Sequence, residues 1–213
     1  MKISLEILAS AYLLGEKNVS ELRTKELVPN MMLRRRLTRG AKLVVELCDR
    51  VGFHQGRILC GSAYGELGMS ENILTAIKNE EPISPTDFQN SVYNTAVSYL
   101  SILQNNHHEI GTLSCGDKTA QALLKAGAVK ALDGDELLLI CFETLDIARI
   151  NEVNRCIDFL ESGVALKVRV SHKEATLFME KSKTQGIPSS IGELLHVAQA
   201  CESNPYHILE VIV

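Results

Sequence analysis

The feature that most constrains the fold is a continuous apolar run, Leu137 to Phe142, entered through an Asp133-Gly134-Asp135 turn. A run without polar alternation is what a central strand carries when both of its faces are covered. Around it, strand-like and helix-like stretches alternate. Lys2 to Leu8 places Ile3, Leu5 and Ile7 on one face, the period of a strand. Arg57 to Cys60, Gly111 to Cys115, Val164 to Val170 and Ile208 to Val213 complete the strand candidates. Helical spacing or composition marks Val19 to Val28 (capped by Ser20), Thr38 to Val51, Leu67 to Lys78, Phe88 to Leu103, Lys118 to Val129, Ile147 to Leu160 and Pro188 to Cys201. Ser190 and Glu193 have the spacing of a capping box for the last of these. The pattern predicts a mostly parallel sheet covered by helices. With no clear linker, repeat or low-complexity segment, residues 1–213 are expected to form a single domain. Lys181 to Ser189 is the best candidate for a mobile loop.

Charge and cysteine usage narrow the function classes. A net charge of −4 and a pI near 5.9 argue against a nucleic-acid surface. The one basic run, Arg34-Arg35-Arg36 with Arg39, opens an amphipathic stretch and reads as a solvated helix start or a partner contact. No apolar run reaches the roughly 20 residues a membrane span needs. The N-terminus reads as a strand and its exit loop, not a signal peptide. No two of the six cysteines lie within four residues of each other, so no zinc pattern exists. Reduced thiols in a cytoplasmic protein are expected.

Nucleotide-binding and hydrolase motifs are absent: no G-x-G-x-x-G, no G-x-x-x-x-G-K-[ST], no G-x-S-x-G and no H-E-x-x-H. His107-His108 before Glu109 reads as a polar loop, because adjacent side chains point apart. Cys115 is the one candidate nucleophile. It sits where a strand turns through Ser114-Cys115-Gly116 into a helix, and a helix N-terminus stabilises a thiolate. A working thiol still needs a base or donor beside it, and His54, His172, His196 and His207 sit in no catalytic motif. The alternative is a structural thiol.

Several segments together resemble the β-ketoacyl synthase family. Arg34 to Arg39 resembles the RRR-L-[ST]-R opening of one branch. Gly61 to Gly68, GSAYGELG, is similar to the synthase segment GSGIGGLG at the subunit interface. Ile83 to Phe88 and Ser91 to Asn94 resemble the branch signature SPT-x-F-x-x-SVHN, with Tyr93 in place of histidine. Thr112 to Asp117 falls where synthases carry the T-A-C-S-S-G nucleophile elbow, and Leu137 to Glu143 is similar to the DVMIAGGAE strand that follows. The resemblance implies the thiolase-like layered α/β/α fold, truncated to the N-terminal half plus a short remnant of the C-terminal half. It also implies packing of the Phe88 to Leu103 helix and the Gly111 to Cys115 strand across a subunit interface.

The departures from the family pattern shape the functional expectation. Either Cys115 or Gly116 occupies the nucleophile position, and helix phasing favours Gly116. The H-G-T-G-T and G-H-x-x-G-A-A-G segments that supply two catalytic histidines are absent, and the residues after Glu143 are too few for a second half. Condensation needs donors for the developing oxyanion. The chain therefore resembles a chain-length factor, the inactive partner of a type II polyketide ketosynthase, in the short form found with aryl polyene pigments. That resemblance implies a heterodimer with a complete β-ketoacyl-ACP synthase, contact with an acyl carrier protein through the complex, and no cofactor or metal. Tyr64, Leu67, Gly68, Tyr93 and Ser98 are the expected channel or interface residues, with Tyr64 limiting chain extension. A Cys115-dependent acyltransferase and a structural homodimer are the competing expectations.

Overall fold

The computed structural model describes residues 1–154, 156–204 and 206–213. One mixed seven-stranded sheet organises the chain, in the order β3-β2-β4-β5-β1-β7-β6. Its strands are β1 (Lys2–Gly15), β2 (Arg57–Gly61), β3 (Ile110–Leu113), β4 (Leu137–Thr144), β5 (Glu161–Ser171), β6 (Leu177–Phe178) and β7 (His207–Ile212). The helices are α1 (Thr24–Leu27), α2 (Met31–Arg36), α3 (Arg39–Arg50), α4 (Leu67–Lys78), α5 (Pro85–Asn90), α6 (Thr95–Gln104), α7 (Thr119–Ala131), α8 (Ile150–Val153) and α9 (Gly192–Ser203).

The apolar run is the central strand β4, and all eight of its residues are buried. Alternate side chains feed two cores. Leu137, Leu139 and Cys141 pack with α7 and α9, whereas Leu138, Ile140 and Phe142 pack with α3 and α6. The result is a three-layer α/β/α arrangement. Helix α3 opens on a cap, the Thr38 hydroxyl accepting from the Ala41 N–H, and buries Gly40, Ala41 and Leu43 to Cys48. On the opposite face α7 comes close enough to β4 that a Cβ on Gly127 would sit 2.6 Å from Leu139 Cδ2. Only glycine permits that approach.

The expected mostly parallel sheet is corrected to a mixed one. β2 runs parallel to β3 and β4, and β6 runs parallel to β7. β4, β5, β1 and β7 are antiparallel in sequence across the sheet. The reason lies in residues 147–160, expected to be a helix. Among the described residues they hold only the single turn α8, so the chain returns beside β4 instead of crossing over, closed by the Leu145 N–H on the Leu160 carbonyl at 2.7 Å. Arg155 lies outside the described residues of this stretch.

Strand β1 runs to Gly15, well beyond Leu8, because it changes faces part-way. Its pairing with β5 slips between Ile7, opposite Val168, and Ala9, opposite Lys167, leaving Leu8 as a bulge. Before the bulge Ile3, Leu5 and Ile7 face α7 and α9. After it Ala9, Ala11 and Leu13 face α3, while Tyr12 and Leu14 take the first face.

Three helix expectations are also corrected. Val19 to Val28 is helical only over α1, whose N-cap is Arg23 and not Ser20. Its backbone is engaged elsewhere: the Val19 N–H donates to Glu161 and the Arg23 N–H to Glu46. Phe88 to Leu103 divides into α5 and α6 at residues 91–94. Pro85 is the first residue of α5, with Ser84 accepting from the Asp87 N–H as its cap. Ser190 and Glu193 form no capping box, because the Ser190 hydroxyl donates to Glu143 instead. The segment 181–189 is pinned by Ser182, whose hydroxyl donates to Gln199 while its N–H donates to the Gly192 carbonyl.

Candidate functional site

The parallel strands β2, β3 and β4 point the same way, so their C-terminal ends gather three turns in one place. This is the end of an α/β sheet where sites form, because the strand-to-helix turns open there. The turn after β2, Gly61 to Gly65, lies next to the end of β3, with the Ser62 N–H on the Leu113 carbonyl at 3.2 Å. The turn after β3 carries Cys115 into a 3-10 turn (Gly116–Lys118) ahead of α7. The last residues of β4 supply Glu143.

Glu143 is fully buried and ties the turn after β2 to the 3-10 turn (Ser189–Ile191) ahead of α9. One carboxylate oxygen accepts from the Ala63 N–H at 2.6 Å and the Ser190 hydroxyl at 2.6 Å. The other accepts from the Ser62 hydroxyl at 2.9 Å and the Tyr64 N–H at 3.2 Å. Among the described residues no basic side chain pairs with it. Burial raises its pKa, opposed by the four donors.

Cys115 is exposed. Its N–H donates to Thr119 Oγ1 at 3.0 Å, and that hydroxyl donates to the Gly116 carbonyl. Among the described residues no side chain hydrogen-bonds its sulfur. Gly116, at φ +56°, takes the left-handed conformation at the apex of the turn. The histidines give it no help: His107 is exposed and contacts Asn105, while His207 contacts Thr176 and the Ala200 carbonyl. The buried thiols are inert by contrast. Burial pushes Cys48 up to about 12 and raises Cys60 and Cys141. Among the described residues no cluster of ligands could hold a metal.

Tyr64 and Tyr93 are brought together at the Gly61–Gly65 turn. The Tyr93 hydroxyl donates to the Ala63 carbonyl at 3.2 Å, and its ring packs over Gly65. Tyr64 is 41% exposed, its phenol raised by partial burial and then by the Asp117 and Glu143 carboxylates. Leu67, Gly68 and Ser98 line three different cavities. Leu67 contributes to an apolar groove of about 480 Å³ with Leu74 and Ile147. Gly68 borders a cavity of about 270 Å³ beside Arg39, Glu66 and Glu161. Ser98 lines one of about 200 Å³ between α5 and α6.

The chain matches the profile of the beta-ketoacyl synthase N-terminal domain over residues 14–203. It belongs to the β-ketoacyl synthase family. No curated protein sequence matches it. Among solved structures it is similar to a chain of the ketosynthase (ApeO)–chain length factor (ApeC) complex from Xenorhabdus doucetiae, with 22% identity, 92% of each chain covered and a TM-score of 0.71. It is similar to the ishigamide ketosynthase/chain length factor, with 10% identity, 80% of this chain and 63% of that one covered, and a TM-score of 0.63. A β-ketoacyl synthase from Burkholderia phymatum gives 11% identity, 80% and 60% coverage and a TM-score of 0.53. At these identities the likeness is one of fold, the layered α/β/α fold of the synthases. The chain spans less than two thirds of the latter two chains but nearly all of the first.

Two charged features of this synthase-family chain escaped the reading of its sequence. The first is Glu143, which the resemblance placed at a strand end without a role. A carboxylate closing a run of buried residues was the available signal. The second is Arg39, expected in a solvated helix start or a partner contact. Its guanidinium forks onto Glu161 and donates to the Val19 carbonyl at 2.7 Å. Arg34 likewise turns inward, donating to the Val28 carbonyl at 2.8 Å, and leaves Arg35 and Arg36 as the exposed part of the run.

Proposed function

We propose that the chain is a chain-length-factor-like subunit, a single domain over residues 1–213. It pairs in the cytoplasm with a complete β-ketoacyl-ACP synthase and shapes that enzyme's acyl channel during polyketide or aryl polyene elongation. The observation that carries this reading is an unpartnered apolar face. Helix α4 has twelve residues and none is buried. Leu74 and Ile77 on it, Phe88 on α5, Val92, and Ile102 on α6 are all between 49% and 69% exposed. Exposed apolar surface on this scale marks a binding site for another protein. β3 lies at one edge of the sheet, so among the described residues its outer backbone groups have no strand partner. The relatives of known structure include complexes of a ketosynthase with its chain length factor, which favours a synthase as the occupant.

The elbow supports a non-catalytic role in these 213 residues. Glycine sits at the left-handed position of the turn, and among the described residues no hydrogen bond from a basic side chain reaches the neighbouring thiol. Acyl transfer needs a thiolate held beside a proton acceptor and oxyanion donors. In the complex, Tyr64, Tyr93, Leu67, Gly68 and Ser98 face the partner and form the far wall of its channel. The carrier protein docks on the assembled pair.

Co-expression with a complete ketosynthase from the same genome, followed by size-exclusion chromatography with light scattering, tests the pairing. A stable one-to-one complex is expected, lost in a Leu74→Asp/Phe88→Asp variant. A chain that remains monomeric beside that synthase refutes it. In the complex, Tyr64→Ala lengthens the products, and an unchanged distribution refutes the channel-wall role. Exposure of Cys115 favours the acyltransferase reading on one point only. An adduct on the isolated chain from an acyl-carrier-protein thioester, absent in Cys115→Ala, would establish it by intact mass.

A further inference from the structure

The Glu143 network has a geometry that assigns it more than support of the fold. Each carboxylate oxygen takes one backbone N–H and one serine hydroxyl. Both backbone donors belong to the Gly61–Gly65 turn, at Ala63 and Tyr64. The serines come from different regions: Ser62 from the same turn, and Ser190 from the 3-10 turn ahead of α9, near the other end of the chain. Ser62 is held in its turn by the Gly65 N–H, which donates to its hydroxyl at 2.7 Å. The carboxylate therefore fixes three consecutive residues of the turn, and Ser190 fixes the carboxylate.

Among the described residues the Glu143 bond is the hydrogen bond that holds the Tyr64 N–H, and the Tyr64 side chain is exposed. Its direction is set by the backbone that carries it. The second brace on the turn, from the Tyr93 hydroxyl to the Ala63 carbonyl, matches the 3.2 Å of the Tyr64–Glu143 bond but is more exposed and holds Ala63, not Tyr64.

We propose that Glu143, indexed by Ser190, is a positioning residue that sets where Tyr64 stands and so sets the depth of the acyl channel. The second clause rests on the channel-wall role of Tyr64; the first does not. Chemistry makes the network sensitive to a single atom. A carboxylate only accepts, and it meets four donors. Glutamine must place its NH₂ at one of the two oxygen positions, and each position faces a backbone N–H. A serine hydroxyl can rotate to accept, but a backbone N–H cannot. Glu143→Gln therefore releases either Ala63 or Tyr64 from the network, with almost no change in side-chain volume.

The test separates the two clauses. The isolated chain is labelled with 3-fluorotyrosine, which gives one ¹⁹F line for each of its five tyrosines, assigned by Tyr→Phe substitution. In Glu143→Gln the Tyr64 line is expected to shift and broaden, while Tyr12 and the exposed Tyr206 stay put. Ser190→Ala gives the same change in smaller degree. An unmoved Tyr64 line in a folded Glu143→Gln protein overturns the proposal. Should that variant fail to fold, Ser62→Ala and Ser190→Ala decide, and unmoved lines in both overturn it equally. In the complex with the synthase, Glu143→Gln is then expected to shift product length in the direction of Tyr64→Ala, severalfold in the share of longer products. If Tyr64→Ala shifts the products and Glu143→Gln does not, the link from Glu143 to channel depth is wrong. If neither shifts them while the Tyr64 line moves, Glu143 still positions the tyrosine, and the channel-wall reading fails.

Discussion

Replacing Arg39 with alanine leaves a carboxylate stranded inside the protein. Glu161 is 1% exposed. One of its oxygens takes Arg39 Nε, and the other takes Arg39 Nη2 at 2.7 Å and the Val19 N–H at 2.7 Å. The same guanidinium holds the Val19 carbonyl, so it fastens residues near the exit of β1 to the start of β5. Removing one partner of a buried pair costs about 3–5 kcal/mol, because the remaining charge stays desolvated. The Arg39 side chain is 33% exposed, so water can enter the vacated place and bring the cost to about 3 kcal/mol. For a chain of this length that lowers the melting temperature by roughly 6–12 °C. Urea unfolding followed by circular dichroism measures it. Arg39→Lys keeps the charge without the fork and is expected to fall between the two proteins. Glu161→Gln placed on Arg39→Ala should recover part of the loss. A loss below about 1 kcal/mol in Arg39→Ala is what a surface ion pair gives, and it would refute the buried-lock argument.

Two further perturbations test other parts of the structure. Burial pushes the Glu66 carboxyl up to about 7 from 4.5, against the Thr38 hydroxyl and Gly40 N–H that donate to it. The native state thus holds a proton that the unfolded chain has released, so stability falls as pH rises from about 4.5 through about 7. Unfolding free energies at pH 5 and pH 8 should differ by roughly 2–3 kcal/mol more in the wild type than in Glu66→Gln, the wild type losing stability at pH 8; equal pH dependence would remove Glu66 as the cause. Deleting Leu8 removes the bulge yet leaves Ile7 opposite Val168 and Ala9 opposite Lys167 as adjacent residues on opposite faces, so both cores keep their side chains and stability is expected to stay within about 1 kcal/mol of the wild type by urea unfolding. A loss of about 3 kcal/mol or more in a soluble deletion variant would refute the assignment of Leu8 as the extra residue.

What could be read in advance follows from where the determining atoms lie. β4 was legible because its burial on both faces writes itself as an unbroken apolar run. α3 and α7 were legible because their apolar periodicity and small residues are local. β1 was cut short for a reason that composition hides. Ile3, Leu5, Ile7, Ala9, Ala11 and Leu13 keep strict alternation, yet Leu8 bulges and the second three serve the other core. The Val19 to Val28 helix failed because partners more than twenty residues away take its backbone groups. The candidate site divides in the same way. The turns at Gly61 and Cys115 stand in family motifs and could be located by resemblance. The carboxylate that joins the Gly61 turn to Ser190 depends on donors about 80 and 47 residues distant, and no local pattern announces it.

The switch of faces in β1 has a consequence for how the molecule comes into being. One strand supplies both cores, and both of its neighbours are distant in the chain: Ser4 pairs with Ser171, and Lys2 with Ile212. Neither core can close around β1 until β5 and β7 have also left the ribosome, roughly 10–40 s after β1 at 5–20 residues per second. For that interval a strand of alternating isoleucine and leucine is made but unpaired. Contacts of such long range also slow the closing step itself. β1 is therefore made well before its partners and is among the last elements to settle into the fold.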